Sequence, residues 1–277
     1  GGRFLIGDED LWSTMAPEGI GVLYFEAGAL QPDNGESLTG YLIGLVNKGN
    51  WRKPADWGTL VAWSWGVSRF IDFFVQNNSL VDAKRVALTG HSRYGKATLV
   101  AMAYDTRIAT AFPSSSGAMG VAQSRRHWGE DLENCVWDSE YHWLAGNAMR
   151  YAGVDESSTD GYLPRKVLQM PVDAESLVAL CAPRPLFIGS GDAAKGEAWA
   201  DPYGLYLTAV AASPVYELLG KKGIVMNDAM DYNGKQIPLL VIDKAYLSGD
   251  IGFRQHHGGH EAGPNYPAFK EFILKYW

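Results

Sequence analysis

The chain is poor in several features that mark other kinds of protein. Its 277 residues include only two cysteines, Cys135 and Cys181, too few for a scaffold built on disulfides and compatible with one bridge or two buried thiols. No apolar run approaches the ~18–20 residues that cross a bilayer. The opening Gly1-Gly2-Arg3-Phe4 lacks the apolar segment of a secretory signal. Basic residues are not in surplus: 24 Lys and Arg face 31 Asp and Glu, and the formal charge of -7 speaks against a nucleic-acid partner. No internal repeat, low-complexity tract or linker is visible, so one domain spanning 1–277 is expected. Aromatic residues, by contrast, are plentiful. Ten Trp and fourteen Tyr can furnish a core, and they also suit clefts that stack on sugar rings or aromatic alcohols.

Hydrophobic patterning points to an α/β fold. Residues 19–25, 85–88, 110–112, 185–189 and 250–254 read as short buried strands. Between them, Leu60, Trp63, Val67, Phe70 and Phe74 recur at helical spacing. Further helices are expected over residues 96–104, 202–219 and 266–276, with residues 31–35 as a loop. Strands alternating with helices imply a mostly parallel sheet covered on both faces, a three-layer sandwich. Only eighteen residues precede the first of these strands. The sheet is therefore expected to lack some N-terminal strands, as in a fragment of a longer chain.

The strand ending at Leu88 runs into Thr89-Gly90-His91-Ser92-Arg93-Tyr94-Gly95-Lys96. A sharp strand-to-helix turn of this kind lifts a serine hydroxyl clear of the sheet, as in the G-x-S-x-G elbow, although here the second glycine arrives one residue late. The plainer reading is a serine that caps a helix. A nucleophilic serine needs a base, and the base needs an orienting acid. His256, His257 and His260 cluster after the last strand. His260 sits in a glycine-flanked loop where a base belongs, while His256 and His257 are expected to be packed or hydrogen-bonded; a metal site is the competing reading of this cluster. For the acid, the loop after residue 189 offers Asp192, Glu197 and Asp201. Asp201, just before Pro202, reads as a helix N-cap, whereas pattern alone leaves Asp192 and Glu197 undecided. The order serine, acid, histidine is that of α/β-hydrolases.

Several separated motifs together resemble the glucuronoyl esterases of carbohydrate esterase family 15, most closely the bacterial branch. They are the Gly90–Lys96 stretch, Ser124-Arg125-Arg126 with Gly129-Glu130, Trp199-Ala200-Asp201-Pro202, Gly259-His260, and Asp56-Trp57-Gly58-Thr59. The resemblance implies an α/β-hydrolase that cleaves esters between 4-O-methyl-glucuronic acid branches of xylan and lignin alcohols, with no metal or organic cofactor. It implies Ser92 as nucleophile, His260 as base and Arg93 as oxyanion donor. Lys96 and Glu130 would bind sugar hydroxyls, and Trp199 would line the uronate pocket. Arg125 and Arg126 are uronate-side candidates that could instead brace the fold. The family carries its acid in one of two loops. One position falls on Ser115, which cannot hold charge; the other falls on Glu197, with Asp192 in reserve. The usual second oxyanion donor would come from a loop ahead of residue 1. An acetyl-xylan or general esterase, or a non-catalytic carbohydrate-binding relative, are the rival readings. A polymeric substrate implies a secreted or periplasmic location, and no nucleic-acid or membrane partner is expected.

Overall fold

The structure, a computed structural model, describes residues 2–7, 9–77, 81–137, 140–153, 166–225 and 240–277. Among these residues seven strands form one sheet: β1 (Gly2–Gly7), β2 (Ile20–Tyr24), β3 (Val81–His91), β4 (Thr110–Ser114), β5 (Leu186–Ser190), β6 (Ala245–Tyr246) and β7 (Ile251–Gln255). Their order is β2-β1-β3-β4-β5-β7-β6. All neighbours run parallel except the antiparallel edge pair β6 and β7. Four longer helices pack on the sheet: α1 (Thr59–Gln76), α2 (Arg93–Tyr104), α3 (Pro202–Leu218) and α4 (Tyr266–Leu274).

Period-2 alternation sorts the strand residues between two cores. Ile6, Val86, Leu88, Ala111, Leu186 and Ile188 face α1, α2 and α3, meeting Ile71, Met102, Leu205 and Tyr216. The intervening Leu5, Ala87, Phe112 and Phe187 face α4, where Phe269 and Phe272 pack. Phe112 and Phe187 meet edge-on with ring centroids 4.9 Å apart. Both faces are therefore apolar and covered, as a parallel sheet requires. This is the mostly parallel, helix-covered sheet that the alternating pattern implied, and it fits the α/β-hydrolase fold that the order of serine, acid and histidine suggested.

Two strands were not legible beforehand. One is β6, a two-residue edge pairing. The other is β1, which lies between β2 and β3 and corrects one expectation about the site. The loop flanking the nucleophile strand on this side leaves β1 inside the chain, not ahead of residue 1; residue 8 lies outside the described residues. Cys135 and Cys181 are both buried, unpaired thiols. Burial pushes Cys181 up to about 12, which leaves it inert at neutral pH. No helix among the described residues is long and apolar enough to cross a membrane.

Candidate active site

The parallel register lines up the carboxyl ends of four strands. His91 pairs with Ser114, Ser114 with Gly189, and Ser190 with Gln255. Open parallel sheets bind ligands at this edge, and the chemistry-bearing loops all leave from it.

Ser92 stands between β3 and α2 with φ 58° and ψ -128°, a conformation that costs a non-glycine residue about 1–3 kcal/mol. Its backbone N–H donates to Ser114 O at 2.9 Å, and its own carbonyl accepts from Gly95 N and Lys96 N. Its side chain caps nothing, which removes the plainer reading of a serine recruited as a helix cap. The late glycine has a steric cause: a Cβ on Gly95 would lie 2.6 Å from Ser114 O, because the first turn of α2 presses on the end of β4. Tyr94, in the usual glycine place, instead packs on Trp63 with centroids 4.9 Å apart.

His260 arrives on the loop after β7. Its ring lies against that of His91, centroids 4.1 Å apart, so the imidazole sits beside the residue that precedes Ser92. Its Nδ1 is 2.9 Å from Glu197 Oε2. A carboxylate only accepts, so Nδ1–H donates to it and Nε2 keeps the lone pair a base needs. Glu197 is fully buried, and its Oε1 has no hydrogen-bond partner among the described residues. Asp192, the reserve candidate, uses its carboxylate on Ala194 N and helps pin the two loops through its backbone N–H to Gly258 O at 2.7 Å. Ser115, at the other acid position, is buried with an unpartnered Oγ among the described residues. Asp201 caps α3 through Gly204 N, as expected, and also accepts from Arg126 Nε at 2.7 Å.

The three histidines have three different partners. His256 is buried, with Nε2 on Glu261 O at 3.0 Å and Nδ1 on Gly258 N at 3.0 Å. His257 is exposed and hydrogen-bonded rather than packed, its Nδ1 2.8 Å from Asp243 Oδ2.

Lys96, Glu130 and Trp199 converge on Gly117. A Cβ there, at φ +57°, would lie 2.2 Å from Glu130 Oε2, 3.2 Å from Trp199 Cζ3 and 3.3 Å from Lys96 Nζ. Trp199 also packs edge-on against His260 at 4.8 Å. Glu130 N donates to Trp199 O at 2.7 Å, which ties the two segments together. Lys96 Nζ is buried and donates to Ser116 O, Ala118 O and Glu130 Oε2 at 2.8, 2.6 and 2.6 Å. Those are all the donors an ammonium has, so a ligand hydroxyl reaching Lys96 must replace one of them. Arg125 is not drawn into this group. Its guanidinium donates to Met170 O and Glu175, and its backbone N–H to Asp173, which braces residues 170–175.

Arg93 extends from the first turn of α2. Its Nη1 is 2.7 Å from Asp33 Oδ2, and its Cζ lies 5.0 Å from the Trp143 ring centroid. Asp33, His142 and Trp143 were not singled out by sequence reasoning. A cavity of about 460 Å³ opens on the β1 side of the elbow, lined by Tyr24, Phe25, Trp63, His91 and Tyr94 among others.

A family model described as fungal glucuronyl esterase matches residues 5–220. A carbohydrate esterase from an unidentified prokaryote is 35% identical over 208 residues, covering 75% of this chain and 44% of that protein. A 4-O-methyl-glucuronoyl methylesterase of Wolfiporia cocos is 31% identical, covering 76% of this chain and 49% of that protein. The chain thus spans about half the length of these curated relatives. Among solved structures, a glucuronoyl esterase of Teredinibacter turnerae superposes with a TM-score of 0.84 at 37% identity, covering 99% of this chain and 66% of that one. One from Solibacter usitatus superposes with a TM-score of 0.80 at 26% identity, covering all of this chain and 74% of that one.

Proposed function

The chain belongs to the glucuronoyl esterases of carbohydrate esterase family 15, and on that premise we propose that it hydrolyses the ester joining (4-O-methyl-)glucuronic acid of xylan to lignin alcohols. The observation that carries this reading is the Glu197–His260 pair laid against the strained Ser92 elbow.

Ser92 Oγ attacks the C6 carbonyl of the uronate while His260 Nε2 takes its proton. Glu197, anionic and fully enclosed, holds the ring in the Nδ1–H tautomer and stabilises the imidazolium that forms. The carbonyl electron pair moves onto oxygen, where the Arg93 guanidinium and the amides of the first turn of α2 offset the charge. When the pair returns, the ester C–O bond breaks and His260 hands its proton to the departing alcohol. Water repeats the sequence on the Ser92 acyl ester and releases the free uronate. Glu130 accepts from a sugar hydroxyl, Lys96 holds Glu130 in place, and Trp199 walls the uronate against His260. The steps proposed use side chains and backbone amides of the chain together with water, and call on no cofactor. The polymeric substrate places the enzyme outside the cytoplasm, secreted or periplasmic.

The test is turnover of benzyl glucuronate compared with a simple acetyl ester, using the wild type and Ser92→Ala. The reading expects a clear preference for the glucuronate ester and its loss in Ser92→Ala with folding intact. Equal rates on both esters would point to a general esterase, and an unchanged rate in Ser92→Ala would remove the nucleophile.

A further inference from the structure

We propose that Asp33 is a positioning residue: with the face of Trp143 it fixes the guanidinium of Arg93, the residue next to Ser92, before substrate arrives. The inference rests on the reading of Arg93 as an oxyanion donor and adds the device that aims it.

Asp33 lies in the loop leaving β2, far in sequence from everything it touches. Its Oδ1 accepts from His142 Nε2 at 2.8 Å and Trp143 Nε1 at 2.6 Å, and its Oδ2 accepts from Arg93 Nη1 at 2.7 Å. His142 and Trp143 are themselves buried, 1% and 2% exposed, so the two donors that aim the carboxylate belong to the core. An ordinary surface Arg–Asp pair holds two flexible chains against each other and has little directing power. Here one partner is immobile. The carboxylate takes its position from two buried rings and passes it to the arginine. Burial alone would raise the Asp33 pKa, but the hydrogen bonds from His142, Trp143 and Arg93 hold it well below the usual carboxylate range, so the anchor stays charged.

Trp143 acts twice. Its N–H binds Asp33 while its ring face lies 5.0 Å from Arg93 Cζ, within reach of a cation–π contact. The guanidinium is therefore held at one edge and over one face. Among the described residues its protein hydrogen bonding uses a single Nη1 N–H, and an arginine carries five N–H groups. The remaining donors stay available for a charge developing at Ser92, already oriented, which is the condition under which such donors accelerate a reaction.

The experiment is a double-mutant cycle of Asp33→Asn and Arg93→Ala. It has two readouts: kcat and KM on benzyl glucuronate, and the rate at which an alkyl phosphonate ester labels Ser92. The second also builds negative charge on an oxygen at the elbow but needs no uronate. Asp33→Asn is expected to lower kcat on the order of 10- to 100-fold with KM within about twofold, and to slow labelling comparably, because misplacing a catalytic group by about 1 Å has that effect. Added to Arg93→Ala it should change little, less than about threefold, since its target is already gone. An unchanged rate in Asp33→Asn, or a full additional loss on top of Arg93→Ala, overturns the proposal. If wild type is labelled but does not turn over benzyl glucuronate, the substrate reading fails while the labelling cycle still decides the role of Asp33. Should Asp33→Asn not fold, Trp143→Phe keeps an aromatic face and removes one donor to Asp33, and the same cycle with the same expected non-additivity decides.

Discussion

At the residue scale the two carboxylates of one loop have been given different work. Glu197 Oε2 meets His260 Nδ1 at 2.9 Å in full burial, whereas Asp192 closes its own turn on Ala194 N. A neutral amide at 197 would present the wrong partner to the ring, so Glu197→Gln should lower kcat on benzyl glucuronate by about 10⁴-fold. Asp192→Asn should stay within about threefold; the opposite ranking would reassign the acid. Sequence pattern left this pair open because both residues follow β5 within a few positions, and only the chain path decides which one turns inward. Lys96 shows a second division of labour. With its ammonium spent on two carbonyls and Glu130, replacing it with methionine strands a buried carboxylate, and loss of one member of such a pair costs about 3–5 kcal/mol. Lys96→Met should therefore melt many degrees lower; a melting temperature within a degree or two of wild type would contradict the buried pairing.

At the element scale, what matters is how β7 delivers His260. His256 follows that strand directly with both ring nitrogens committed, Nε2–H donating to Glu261 O and Nδ1 accepting from Gly258 N. That pairing exists only for the neutral ring. Burial pushes the His256 pKa below the ordinary histidine value, with Glu261 pulling weakly the other way. The unfolded chain therefore binds the proton first as pH falls through about 6.5, and stability drops with falling pH in that window. His256→Gln keeps a donor and an acceptor without titrating. Its melting temperature should fall less than wild type's between about pH 7 and about pH 5.5, and equal falls would contradict the role given to this ring. Strand and helix positions around the site were largely legible because the apolar runs are bounded by glycine and proline. β1 was missed because its apolar stretch is short and follows two glycines, with nothing local to separate it from a loop. The Asp33 cradle was missed for a different reason. Its partners lie 109 and 110 residues away, and no local spacing encodes such a meeting.

For the whole molecule, the sheet register brings four strand ends to one edge, and the sequence order of serine, acid and histidine becomes a spatial cluster there. The net charge of -7 has little to act on, since the proposed substrate ester is neutral. Raising salt from about 50 mM to about 500 mM should therefore change kcat/KM for benzyl glucuronate by less than about twofold, measured by initial rates. A steep salt dependence would mean that long-range charge steers the substrate. The central claim is that Ser92 is made nucleophilic by an imidazole held by Glu197. Its most direct test is peptide mapping by mass spectrometry after exposure to an alkyl phosphonate ester. The account predicts one adduct, on Ser92, absent in His260→Ala and slow to form in Glu197→Gln. An adduct on another residue, or labelling of Ser92 that proceeds as fast without His260, would contradict it.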